Sequence, residues 1–251
     1  MKFRIIPVLL YKYGSLVKSV GFKNHRIVGD NTSSIRVFSK RQADEMIVYD
    51  LDARKNGEFN SVLIKYAVQN CNMPLTMGGG IQSVDDASRL IDNGCDKISV
   101  SSLVSSDISK VYDIARKFGA QAVVATIDYR VVDGVRYIYS NNGEKCHGII
   151  NLENLITTLV NNGVGEIIFN SIDRDGTMTG FDRELIDDLN QSYKVPIVIS
   201  GGCESSDDMH YAEQKNISAA AAGSIFYWKG DSIISLKKEL LKKGSNVREV
   251  I

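Results

Sequence analysis

Two segments of this chain place glycines and serines at matching distances. PLTMGGGIQSVDDASRLIDNGCDKISVSS (74–102) aligns without gaps on PIVISGGCESSDDMHYAEQKNISAAAAGS (196–224), an offset of 122. Pro74 falls on Pro196, Gly79-Gly80 on Gly201-Gly202, Asp85-Asp86 on Asp207-Asp208, and Ser102 on Ser224. Glycine lets the backbone approach an oxyanion closely, and hydroxyls with helix-start N–H groups complete a cradle. Gly80, Ser101 and Ser102 are read as one phosphate cradle, and Gly202, Gly223 and Ser224 as its twin. Two related cradles suit a small molecule phosphorylated at both ends. A lone GGG is explained equally well by a tight turn; the duplication, with a serine in each half, favours the anion.

A second set is acidic. Asp128 closes the apolar run AVVATID, and Asp173 and Asp175 sit in SIDRDGT. Carboxylates at strand ends are candidates for general acid or base work. Asp50 and Asp52 in YDLD hold comparable positions, although a helix cap or loop contact explains them as well. A third set stands at strand starts: Arg4, Glu45, Lys97 and Glu166. Solvated strand starts are the plain explanation, but two acids and two bases can also pair into a closed ring.

These residues need elements to hold them. Apolar β-type runs occur at 4–10, 45–50, 74–77, 97–100, 122–128, 166–170, 196–200 and 218–223. Amphipathic stretches separate them, such as SVDDASRLIDNG (83–94), with a serine cap, acids in the first turn and a closing glycine, and ENLITTLVNNG (153–163). Runs 4–10, 122–128 and 196–200 are apolar nearly throughout, as strands covered on both faces must be. Eight strands with helices between them in about 250 residues predict an α/β fold, a (β/α)8 TIM barrel, over a doubly wound sheet. EMIVYDLD (45–52) also matches EIIFNSID (166–173), so the barrel is expected to consist of two duplicated half-barrels. No linker or low-complexity stretch divides the chain, and one domain over 1–251 is expected. In such a barrel the acids and glycines fall at the C-terminal mouth, and the charge set falls on the floor.

Composition narrows the function. With 43% hydrophobic residues and 30 basic against 30 acidic side chains, the chain is neither disordered nor basic enough for a general nucleic-acid binder. No apolar run reaches the roughly 18 residues of a membrane span, and the start reads as a first strand rather than a signal peptide. Cys71, Cys95, Cys146 and Cys203 are scattered without a CxxC, which predicts reduced thiols in a cytoplasmic protein and no metal site.

RIIPVL, TMGGGI, DKIS, QAVVATID, SIDRDGT, ISGG and GSNVRE together resemble HisF, the cyclase subunit of imidazole glycerol phosphate synthase, a lyase, over essentially the whole chain. The resemblance implies a glutaminase partner on the barrel floor, whose ammonia crosses the interior to attack a bisphosphorylated ribulosyl-aminoimidazole at the top. It implies no cofactor. By it, Arg4, Glu45, Lys97 and Glu166 match the ammonia gate, and Asp96 matches a partner-facing acid. Gly80, Ser101, Ser102, Gly176, Gly202, Gly223 and Ser224 match phosphate-site motifs, Lys18 matches a flexible-loop lysine, and Asp128 matches one of two catalytic aspartates. The other aspartate ends the first strand, where this chain has Leu10; strand one laid on strand five puts Leu10 opposite Asp128. Ser101 also stands where the family usually has asparagine. A retained gate with a lost acid resembles HisF paralogs of surface-sugar synthesis. These work with a HisH-like glutaminase and supply ammonia to a sugar amidotransferase that makes acetamidino groups. The alternatives are a working cyclase of histidine biosynthesis and a non-catalytic phosphate-binding scaffold.

Overall fold

The apolar runs zip together because each can cover both faces only inside a closed sheet. In the computed structural model, residues 1–189, 193–229 and 232–250 are described, without the side chains of residues 31 and 32. The strands in chain order are β1 (Arg4–Lys12), β2 (Ser15–Val20), β3 (Lys23–Gly29), β4 (Met46–Asp50), β5 (Leu75–Gly78) and β6 (Lys97–Val100). They continue with β7 (Val123–Val132), β8 (Val135–Ser140), β9 (Lys145–Ile149), β10 (Glu166–Ser171), β11 (Ile197–Ser200) and β12 (Ala219–Ala222). Eight of them pair in parallel in the order β1-β4-β5-β6-β7-β10-β11-β12, and β12 returns to β1. The eight expected runs are all present. The closing β1–β12 pair excludes a doubly wound sheet, whose two edges stay open.

The duplication is visible in the backbone. Ser83 caps the helix Val84–Ile91 by accepting the Asp86 N–H, and Ser205, its counterpart, caps Ser206–Gln214 with a reciprocal Asp208 contact. Gly79 and Gly80 have φ of 114° and 72°; Gly201 and Gly202 have 90° and 97°. The register agrees too: Leu10 pairs with Tyr49 across β1–β4 as Asp128 pairs with Asn170 across β7–β10.

Two antiparallel extensions border the mouth of the barrel. Strands β1 and β7 overrun their barrel segments and fold back as β1-β2-β3 and β7-β8-β9. The turns Tyr13-Gly14 and Asp133-Gly134 have positive φ at both residues, the geometry that matches strand twist in a tight hairpin. Helices between the barrel strands cover its outside. Among the described residues no helix is long and apolar enough to cross a membrane. The main core lies between sheet and helices. A separate cluster of Ile6, Ile47, Val124, Ile168, Val198, Ala219 and Ala221 fills the barrel interior.

Candidate functional site

Side chains alternate along each strand, so residues two apart climb the same interior wall. On β7 the wall reads Val124, Thr126, Asp128; on β1 it reads Arg4, Ile6, Val8, Leu10. At the top the strand ends open into a cavity of about 190 Å³. It runs from Gly80 and Ser224 at the mouth down to Ile47 and Ile168.

Asp128 stands in the wall of this cavity. Its Oδ1 accepts from Asn170 Nδ2 at 2.9 Å and its Oδ2 from Ser101 Oγ at 3.0 Å. Burial pushes its pKa up to about 6, and the hydrogen bonds from Asn170 and Ser101 work against that rise. Asp175 also lines the cavity and is pushed up to about 6 by burial, with the Lys18 charge opposing. Burial thus brings both carboxyls up from the ordinary aspartate range to about 6, toward the pH at which a group can hold or release a proton. Leu10 lines the same cavity and can do neither.

Each cradle carries one cation. In the first, an added Cβ on Gly80 would lie 2.7 Å from the Arg54 backbone nitrogen, so only glycine allows the two loops to touch. Arg54 Nη1 donates to Ser102 Oγ at 3.0 Å. In the second, the space where Gly223 would carry a Cβ is filled by Lys18 Nζ. Lys18 donates to the Val8 carbonyl at 2.8 Å and lies 5.2 Å from the Tyr227 ring centroid. Burial lowers its pKa to about 8, with Asp175 opposing. The resemblance expects Lys18 on a flexible loop; it sits instead in strand β2, buried, because the β2–β3 hairpin is folded down over the mouth. Gly176 is a contact point of that hairpin: a Cβ there would strike the Ser19 carbonyl at 2.0 Å.

Three expected acids are engaged by other groups, Asp50 while still lining the cavity. The Asp50 carboxylate is buried and accepts the backbone N–H groups of Asp52, Ala53 and Asn60, at 3.1, 3.2 and 3.0 Å, which shapes the loop after β4. Asp52 accepts the Tyr13 N–H at 2.7 Å. Asp173 is exposed and pairs with Arg130 at 2.7 Å, bracing the β7–β8 hairpin from outside the cavity.

At the opposite end the four charges close into a ring. Arg4 reaches Glu45 and Glu166 at 2.5 Å each, and Lys97 reaches the same two carboxylates at 2.8 and 2.9 Å. Asp96, beside Lys97, is exposed and accepts the Leu75 N–H at 2.8 Å.

A family model described as histidine biosynthesis protein matches residues 4–231. Imidazole glycerol phosphate synthase subunit HisF of Flavobacterium johnsoniae is 36% identical over 98% of this chain and 98% of its own length. HisF of a Thermotoga species is 35% identical over 98% and 97%. A hisF2 protein of Pseudomonas aeruginosa, named for the same subunit, is 40% identical over 90% and 91%. The chain belongs to the HisF family.

Within this HisF-type barrel several cavity residues escape a reading of motifs. Arg54, in DARKNG, looks like a solvated helix residue; only the loop contact with Gly80 turns it to the cradle. Asn170 has a sequence signal, because it is the residue that the duplication aligns with Tyr49. Asn141, which Arg54 also contacts, comes from the β8–β9 turn. The β7–β8 turn that leads into it carries a sequence signal, Asp133-Gly134 between Val132 and Val135.

Proposed function

We propose that the chain is the barrel subunit of a glutamine amidotransferase. It receives ammonia from a HisH-like glutaminase docked over the Asp96 face, passes it through the Arg4–Glu45–Lys97–Glu166 floor, and holds a phosphorylated ligand between the Gly80/Ser102 and Gly202/Ser224 cradles. One observation carries the finer reading: Leu10 occupies the position that the internal repeat aligns with Asp128, above a complete charge ring. Cyclisation of an imidazole precursor draws on general acid–base help worth about 10²–10⁴-fold, and leucine supplies none. A barrel that keeps the ring and lacks this acid conducts ammonia for another acceptor. The resemblance favours a sugar amidotransferase making acetamidino groups for surface polysaccharide.

The residues divide the work by position. Arg54 and Lys18 supply positive charge to the two phosphates, the glycines let backbone N–H groups approach them, and Asp128, its carboxyl raised by burial, exchanges a proton beside the reacting end. A second reading, a cyclase of histidine biosynthesis, is favoured by Asp175, whose carboxyl also titrates near 6 and faces the same cavity. The deciding measurement is cyclase turnover with the bisphosphorylated ribulosyl-aminoimidazole at high ammonia, where no glutaminase is needed. No turnover is expected. A rate within about tenfold of an ordinary HisF, a barrier difference under about 1.4 kcal/mol, overturns the paralog reading and installs Asp175 as the second acid.

A further inference from the structure

Between the charged floor and the Asp128 cavity the interior wall changes chemistry twice. Directly above the ring lies an apolar layer containing Ile6, Ile47, Val124 and Ile168. Higher on the wall, two residues above Ile47 and Val124 and two above Lys97 of the ring, where a barrel interior ordinarily continues with branched aliphatic side chains, three hydroxyls meet. Tyr49 Oη lies 3.0 Å from Thr126 Oγ1 and 3.3 Å from Ser99 Oγ, and Ser99 Oγ lies 2.7 Å from Thr126 Oγ1. They come from β4, β6 and β7, with β5 between the first two, and all three line the cavity. The Tyr49 ring is packed against Gly78, where an added Cβ would meet Tyr49 Cδ1 at 3.0 Å. Glycine on β5 therefore makes room for the phenol inside the barrel.

The hydrogen-bond arithmetic of this layer is specific. Three hydroxyls own three protons and six lone pairs. Their mutual contacts use the three protons and three of the lone pairs, and the remaining acceptors are left for a visitor. On β10, two residues above Ile168, the Asn170 Oδ1 atom is buried and has no hydrogen-bond partner, since Asn170 engages Asp128 through its nitrogen. The wall thus offers several acceptors, and a hydroxyl that can turn to donate, with no charge in its own layer. Ammonia has three N–H donors and one lone pair and matches that pattern. Ammonium has four donors, no acceptor and a charge that this layer cannot pair. Burial pushes the Tyr49 phenol up to about 12, so it keeps the proton it would donate.

We propose that Tyr49, Ser99 and Thr126 form a binding station for neutral ammonia inside the barrel, from which it is handed to Asn170 Oδ1 beside Asp128. The assignment rests on the ammonia-conducting reading given above. In purely structural terms the hydroxyls would only satisfy one another, and nothing would bind.

Two measurements separate these cases. The purified chain is titrated with ammonium chloride at several pH values, with potassium chloride as control, while near-UV tyrosine absorption is followed. The expected result is a band shift that tracks free ammonia rather than total ammonium and is absent in Tyr49→Phe. No shift in the native chain, or the same shift in Tyr49→Phe, overturns the station.

The second measurement uses the complex with its glutaminase and nitrogen acceptor, supplied with amide-15N glutamine against 14N ammonium in bulk. Tyr49→Phe is expected to lower the 15N to 14N ratio in product by about three- to tenfold, the worth of one hydrogen bond. Thr126→Val, which removes a different hydroxyl, should act in the same direction. If Lys97→Ala lowers the ratio while neither hydroxyl variant does, the channel stands and the station is wrong. If none of the three changes it, the channel reading fails and takes the station with it.

Discussion

Removing Lys97 tests how the charged floor is held. Its side chain is 19% exposed, and those of Arg4, Glu45 and Glu166 are 15%, 11% and 8% exposed, so the ring is largely out of water. Lys97→Ala deletes two of the four ion pairs and leaves Arg4 facing two carboxylates beneath an apolar layer. Hydrogen bonds to charged groups are worth about 1.5–3 kcal/mol each, an upper range of about 3–6 for two. The desolvation of the lysine itself is relieved, and the gap admits some water, which offsets part of the loss. A net cost of about 2–4 kcal/mol is expected. At about 2–4 °C per kcal/mol for a chain of this size, the melting temperature should fall by roughly 5–15 °C.

The pH dependence carries the sign. Burial pushes Glu45 upward, but Arg4 and Lys97 together hold it below the usual carboxylate value. A depressed carboxyl stabilises the fold above its unfolded pKa, and that stability is lost as pH falls through the folded value. Without Lys97 the push of burial is less opposed, the Glu45 pKa rises, and acid relieves the variant. The gap between native and variant should therefore be widest at about pH 8 and narrow toward about pH 4.5, the ordinary glutamate range. Urea unfolding followed by far-UV circular dichroism at both pH values checks it, with Lys97→Arg retaining most of the stability. A loss under about 0.5 kcal/mol, typical of surface pairs, or a gap independent of pH, refutes the ring as a buried unit.

Two further outcomes follow from the cavity. Asp128 has its pKa raised by burial to about 6 from 3.8, so ionisation works against folding as pH rises through 6. Asp128→Asn should gain up to about 3 kcal/mol at pH 8, at 1.36 kcal/mol per pKa unit, with the gain gone below about pH 4; an Asn variant less stable than the native chain at pH 8 contradicts it. Ser224→Asp places a like charge in the second cradle, and calorimetry should show inorganic phosphate binding weakened by about tenfold or more, the factor set by about 1.4 kcal/mol. Unchanged phosphate affinity would mean that the glycines there only make a turn.

The barrel was readable because its signals are local and repeated. Eight apolar runs, caps at Ser83 and Ser205, and glycines with matching positive φ all state the same answer twice, and the register of Leu10 against Asp128 followed from that repetition. The floor was half readable. Four charges at strand starts can be seen in the sequence, but whether they are solvated or joined depends on strands up to 162 residues apart meeting around one axis. Lys97, which looks dispensable at a strand end, proves to hold two glutamates. The acids were the least readable. Asp50, Asp128 and Asp175 all end or follow strands and line the cavity, yet Asp50 is taken up by three backbone N–H groups. What separates them is the loop path beyond each strand, which no spacing rule encodes. The same limit hid Tyr49: a tyrosine in a strand reads as packing, and only the absence of a side chain at Gly78 brings its phenol to Ser99 and Thr126. Function in this barrel is set by which residue fills each interior layer, from charge to aliphatic to hydroxyl to carboxyl. A layer is a property of eight strands at once, and so the chemistry emerges only when they close.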